Sequence, residues 1–196
     1  MKRSNKLIRI AVVVAVVAVA GYLTVRTSFV RKGYEPYQPI QFPHWRMAGE
    51  PRWETGEDGE QVNVGGFGIP CMYCHTMPYK GRHSTVPSTD ICMNCHSTVG
   101  QDKEWVLVMK DFWDRGEPIP WVKVHDLPDF VYYDHSVHLT AVDDAGKPKL
   151  DCVDCHGKVE ERDMVRVEQN FNMGWCMDCH RKPEMNASLD CVTCHR

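Results

Sequence analysis

Five times in this chain a pair of cysteines three positions apart is followed at once by a histidine: Cys71/Cys74/His75, Cys92/Cys95/His96, Cys152/Cys155/His156, Cys176/Cys179/His180 and Cys191/Cys194/His195. This Cys-x-x-Cys-His spacing is that of c-type haem attachment. Each thiol adds to a vinyl group of the porphyrin to form a thioether, and the adjacent histidine sits beneath the iron as proximal ligand. The chain has ten cysteines and the motifs use all ten, which leaves none for a structural disulfide or an iron–sulfur cluster. A zinc site would need a second Cys or His pair for every motif and has no use for a histidine directly after each one. The pattern predicts five covalently attached haems c.

The histidines divide in the same way. Ten are present, five inside the motifs and five outside: His44, His83, His125, His135 and His138. Five six-coordinate irons need five distal ligands. Ligation by two histidines fills both axial positions, leaves no place for substrate and gives lower potentials than His/Met ligation. The expectation is electron transfer, with no catalytic residue and no enzymatic activity of the chain by itself. A weak repeat bears on the ligand set. Phe42-Pro43-His44-Trp45-Arg46-Met47 precedes the first two motifs, and Tyr133-Asp134-His135-Ser136-Val137-His138 precedes the last three. Residues i and i+3 on a helical turn share a face but diverge by about 60°, so one turn can serve two irons. The repeat nominates His44, Met47, His125, His135 and His138 as distal ligands, with His83 the alternative to Met47.

The elements that must hold these residues are short. Successive motifs begin 21, 60, 24 and 15 residues apart, a pair followed by a triplet. The expected layout is a haem domain over 41–196, with a two-haem part at 41–100, an aromatic connecting segment at 101–134 and a three-haem part at 135–196. Trp105, Trp113, Trp121, Phe130, Tyr132 and Tyr133 in or beside the connector suit packing against haem faces. Pro78, Pro87, Pro118, Pro120, Pro128, Pro148 and Pro183 interrupt regular structure. Asp102 to Phe112 and Val159 to Phe171 are the better helix candidates, and each motif calls for a turn of helix. The fold class is a multihaem cytochrome c, mostly coil with short α-helices wrapped around five haems, plus one N-terminal transmembrane helix.

Charge separates the N-terminus from the rest. Residues 1–32 carry seven Lys and Arg and no Asp or Glu, whereas the remaining 164 carry 16 against 26, a formal −10. An acidic haem domain excludes nucleic acid as a partner and suits basic redox proteins or a place in a complex. Residues 1–6 form a short cytoplasmic N-terminus and 26–40 a linker. Between them Leu7 to Val25 is apolar apart from Arg9, Gly21, Tyr22 and Thr24, long enough for a membrane anchor. A signal peptide is the competing assignment, because Ala18-Val19-Ala20 before Gly21 forms a plausible cleavage site. Covalent haem attachment takes place outside the cytoplasmic membrane, so either assignment puts the haem domain on the periplasmic side of a bacterial cytoplasmic membrane.

The motifs in sequence carry a family resemblance. Asp134-His135-Ser136-Val137-His138, followed by Asp151-Cys152-Val153-Asp154-Cys155-His156, resembles the ligand turn and first motif of the small class III multihaem cytochromes. Phe42-Pro43-His44, Ile69-Pro70-Cys71-Met72-Tyr73-Cys74-His75, Val86-Pro87-Ser88, Cys92-Met93-Asn94-Cys95-His96 and Met173-Gly174-Trp175-Cys176-Met177-Asp178-Cys179-His180-Arg181 resemble the pentahaem subunit of bacterial alternative complex III. The resemblance runs over about residues 38–196. It implies an electron-transfer subunit of a membrane quinol:electron-acceptor oxidoreductase in a respiratory or photosynthetic chain. The implied partners are an iron–sulfur subunit related to molybdopterin enzymes, integral membrane subunits holding the quinol site, and a monohaem cytochrome c. Family members often carry histidine where Met47 stands, so this chain departs there; Met173 is assigned to packing. The alternatives are a multihaem subunit of another quinone-linked periplasmic complex, a stand-alone membrane quinol dehydrogenase, and an enzyme with a five-coordinate haem. All five motifs end in histidine, which disfavours the last.

Overall fold

All five attachment motifs lie on short helices, as two cysteines and a histidine on one side of a turn require. The computed structural model describes residues 2–28 and 32–195, without the side chains of 2–5, 7 and 23–28. The motif helices are α3 (Cys71–Cys74), α4 (Thr89–His96), α7 (Cys152–His156), α8 (Met173–His180) and α9 (Cys191–Cys194). Both copies of the ligand repeat are single helical turns, α2 (His44–Ala48) and α6 (His135–Leu139). Strands β1 (Trp53–Thr55) and β2 (Gln61–Asn63) form one antiparallel hairpin with Glu54 opposite Val62. Coil joins the rest, in agreement with the sequence.

The connecting segment holds α5 (Glu104–Asp114), close to the expected helix. Glu104 complements the dipole in its first turn, and Lys110–Asp114 and Arg115–Asp111 pair at i,i+4 on its solvent side. Gly116 (φ +66°) ends it in the left-handed conformation that glycine adopts freely. Its inner face places Met109 beside Ile40 and Ile119, with Cys92, Met93, Trp105, Phe112 and Trp121 packed around them.

The second expected helix, Val159 to Phe171, does not form. Only a 3₁₀ turn at Val159–Glu161 remains, and the rest is extended or coil. Its backbone bonds outward instead of to itself: Trp45 N–H donates to the Arg162 carbonyl (2.8 Å), Val167 N–H to Tyr34 (3.0 Å) and Gly33 N–H to Val167 (2.6 Å). Arg162 and Arg166 both reach Glu168, and Val167 is wholly buried. β-Branched residues lose little in such an extended, buried run, so tertiary pairing prevails over the charged, helix-favouring composition.

Helix α1 covers Lys2–Ser28. Ile8, Ile10, Val12, Val13, Val14, Val16, Val17, Val19 and Tyr22 are each more than half exposed, so the apolar surface runs round the whole helix. Among the described residues no helix is long and apolar enough to cross a membrane. Both ends of the expected span, Leu7 and Leu23 to Val25, have side chains outside the described set.

Among the described residues four apolar side chains are buried: Ile40, Met109, Ile119 and Val167. A polypeptide of this size ordinarily builds one contiguous core. Here Val153 and Val192, inside the third and fifth motifs, stay uncovered by protein at 41% and 72% exposure. The chain is a wrapping with little interior of its own.

Candidate haem-binding site

The motif histidines share one local geometry. Their Nδ1–H groups are aimed at backbone carbonyls: His75 at Thr85 (3.1 Å), His96 at Val99 (3.0 Å), His180 at Ser188 (2.8 Å) and His195 at Phe130 (3.2 Å). A bond at Nδ1 fixes the tautomer and ring orientation and leaves Nε2 as the metal-binding atom. Thr85 lies at φ +57°, a costly conformation for a β-branched residue. It is held where its carbonyl meets His75.

Helix α6 carries two of the expected distal ligands. Asp134 caps it, its carboxylate accepting from Ser136 N–H (2.8 Å) and Ser136 Oγ–H (2.7 Å). His135 Nδ1–H donates to the Arg82 carbonyl (2.8 Å) and His138 Nδ1–H to the Asp134 carbonyl (2.7 Å). The His135 ring lies parallel to that of His156 with centres 6.3 Å apart, and the His138 and His180 rings are 6.1 Å apart. Two imidazoles on opposite faces of one metal, with bonds of about 2 Å, place their ring centres about 6 Å apart. The turn thus faces two different motif histidines from one strut, as the i,i+3 spacing suggested. Tyr133 packs against both rings (4.9 and 4.6 Å), and burial pushes its phenol pKa up.

Helix α2 is held differently. Pro43 precedes it without a side-chain cap, and distant segments clamp it. Ile69 N–H donates to Met47 (2.9 Å), Trp45 Nε1–H donates to Asp163, and Gly66 lies so close to the Gly49 and Trp45 carbonyls that a Cβ there has no room. His44 is largely buried; desolvation first, then the nearby charge of His75, lowers its pKa to about 4, with the Phe42 backbone opposing. Among the described residues, the buried side-chain nitrogens without a partner are His44 Nδ1 and Arg162 Nε, and both lie where α2 meets the Val159–Glu161 turn. Met47 is half-buried beside the first motif, and His83 is exposed.

His125 stands apart from this pattern. Its Nε2 lies 3.3 Å from His156 Nδ1, with ring centres 4.5 Å apart and planes at 85°. Burial lowers the pKa of both rings to about 4, with neighbouring histidines adding to the shift.

The cysteines are unpaired and line up motif against motif. Burial raises the thiol pKa of Cys74, Cys92 and Cys176, and that of Cys152 and Cys155 to about 11, and neighbouring thiols raise them further. Cys95 and Cys71 act on Cys74, Cys74 on Cys92, Cys71 on Cys152, Cys179 and Cys176 on Cys155, and Cys194 on Cys176. Thiols of different motifs therefore lie near enough to act on one another electrostatically. A groove of about 610 Å³ between Val86–Asp90 and the Trp113 and Trp121 side chains adjoins the second motif.

The donor set suits haem c: paired thiols on helical turns, imidazoles with Nε2 free, and uncovered apolar motif positions for a flat macrocycle to cover. Sequence reasoning missed the carbonyls of Thr85, Val99, Phe130 and Ser188, for which backbone atoms give no residue-type signal. It also missed Arg162, whose buried Nε is visible only in three dimensions.

Residues 131–196 match the family described as "Cytochrome c7 and related cytochrome c". Over 178 residues, 81% of this chain and 77% of the other, the sequence is 26% identical to the menaquinone reductase, multiheme cytochrome c subunit, of Nitratidesulfovibrio vulgaris. These similarities agree with the attachment motifs and their geometry, and point to the same covalent haem chemistry.

Proposed function

We propose that this chain carries electrons through five haems c as the multihaem subunit of a membrane quinone-linked oxidoreductase. The observation that carries this reading is the state of the motif histidines. All five have Nδ1 engaged and Nε2 free for a metal, and two of them face a second imidazole at a metal-spanning distance. Bound haem supplies a one-electron Fe(III)/Fe(II) couple. The chain's own residues fix ligand identity, ligand basicity and the spacing of the sites.

The pairs that would hold haem iron are His156 with His135 and His180 with His138, whose rings face each other; His44 is assigned to the N-terminal sites. With both faces of these sites taken, no position is open for a substrate. The order and spacing of the motifs favour a quinol-oxidising complex of the alternative complex III type, with an iron–sulfur/molybdopterin-like subunit, quinol-binding membrane subunits and a monohaem cytochrome c as partners. A second reading, a quinone-reducing complex working in the opposite direction, is favoured by the similarity to a menaquinone reductase subunit. In either case the apolar surface around α1 supports attachment to the cytoplasmic membrane, with residues 41–196 on its periplasmic side.

The test uses the complex purified with this chain. Haem staining, mass and pyridine haemochrome spectra are expected to give five haems on this subunit, all low-spin by EPR. Reduction of these haems by added menaquinol supports quinol oxidation. Oxidation of pre-reduced haems by menaquinone, without the reverse reaction, selects the second reading. A stoichiometric high-spin haem that binds cyanide overturns both.

A further inference from the structure

Four of the five motif histidines donate Nδ1–H to a main-chain carbonyl, and His156 alone meets another imidazole. With Nε2 committed to a metal, the remaining proton of a neutral imidazole sits on Nδ1, so His156 must donate there. The atom placed to accept is His125 Nε2 at 3.3 Å. An accepting Nε2 has its lone pair used, and His125 then carries its own proton on Nδ1. Ring centres 4.5 Å apart leave no space for a metal between the two rings, and a metal on His125 Nε2 would sit against the His156 ring. His135, by contrast, faces His156 at 6.3 Å with parallel planes.

From this geometry we propose that His125 is not an axial ligand but the hydrogen-bond acceptor that orients His156, leaving His156 and His135 as the axial pair of the third site. His125 is a positioning residue. It is held edge-on by Phe171 at 5.8 Å and is half-buried. Its chemical effect is distinct from that of a carbonyl. An imidazole nitrogen is a stronger base than an amide oxygen, so it draws the His156 proton further and makes that ligand more electron-donating. The third and fourth sites have the same pair of axial imidazoles and differ in this acceptor, His125 against the Ser188 carbonyl. The third site therefore has the lower potential of the two.

The inference rests on the haem-bound reading above, and the test separates the two. The full chain, matured with haem in its complex, is compared with His125→Ala and His125→Asn after haem loading is verified by mass. The expected result for His125→Ala is an unchanged number of low-spin haems by EPR, with one midpoint potential raised in a spectropotentiometric titration. His125→Asn, whose amide oxygen can accept in place of the imidazole, moves that potential part of the way back. A new high-spin haem in either variant, one per chain, overturns the proposal and makes His125 a ligand; so does a set of potentials identical to the parent. If His125→Ala does not load, the same two readings on His125→Asn decide. Fewer than five haems in the parent protein counts against the five-haem reading instead.

Discussion

The two-motif part at 41–100 and the three-motif part at 135–196 use one device, a ligand-bearing turn followed by attachment motifs, and secure it in opposite ways. In the C-terminal part three of the four turns carry a local side-chain cap, and only α9 lacks one. Asp134 caps α6, Asp151 and Asp154 form a reciprocal capping box on α7, and the Asn172 side chain accepts from Trp175 N–H on α8. In the N-terminal part Pro43 and Pro70 precede α2 and α3, and Ser88 precedes α4, none with a side-chain cap. There the fixing contacts come from far along the chain, as where Trp45 N–H reaches Arg162. His135 and His138 both have Nδ1 on a carbonyl, whereas His44 Nδ1 has no protein partner and Met47 replaces the second histidine. A unit whose turns carry their own caps is the more recognisable by itself, and the family match covers 131–196. The N-terminal unit leans on its neighbour.

Exchanging the ligands across the two turns sharpens this contrast most. His138→Met is expected to raise one midpoint potential by a substantial part of the roughly 0.8 V range that axial ligands span. Met47→His lowers one potential if Met47 is a ligand and leaves all of them in place if it only packs. Spectropotentiometry with near-infrared magnetic circular dichroism reads both, since a Met–iron band appears in the first variant and disappears in the second. Next in size is Val167→Ala, in the extended segment that ties the C-terminal part to residues 33–34. Loss of this buried side chain costs about 2 kcal/mol, a fall in Tm of about 6 °C for a chain of this length. Equal loss of His44-linked and His138-linked haem signals on heating would contradict the dependence of one unit on the other. The smallest effect compares caps. Asp151→Ala costs about 1 kcal/mol in denaturant titration, whereas Ser88→Ala, whose hydroxyl makes no cap bond, leaves the midpoint within error.

Attachment chemistry was legible because it demands particular residue types at fixed spacing. Ten cysteines and five motif histidines name their own helical turns, and the i,i+3 ligand turn was readable for the same reason. Asp102 to Phe112 was readable from its apolar stripe and ion pairs. Val159 to Phe171 was not, because its backbone partners, Tyr34 and Trp45, lie more than a hundred residues upstream. The role of His125 was equally hidden. Its residue type matches a ligand, and only the 3.3 Å approach to His156 Nδ1 shows a different use.

One turn of helix, His135–Leu139, presents imidazoles to two motifs at once. Exchange of an electron between two centres falls off steeply with the gap between them, so any breathing of that gap becomes jitter in the rate. Ligands mounted on separate loops would let the gap drift with each loop's motion. Mounted on a single capped turn, they move as a rigid pair, and a displacement of the turn shifts both centres together. On the proposed function, a step between the third and fourth sites would then be shielded from such drift by five residues, while a step across the junction between the two units would have no such common mount.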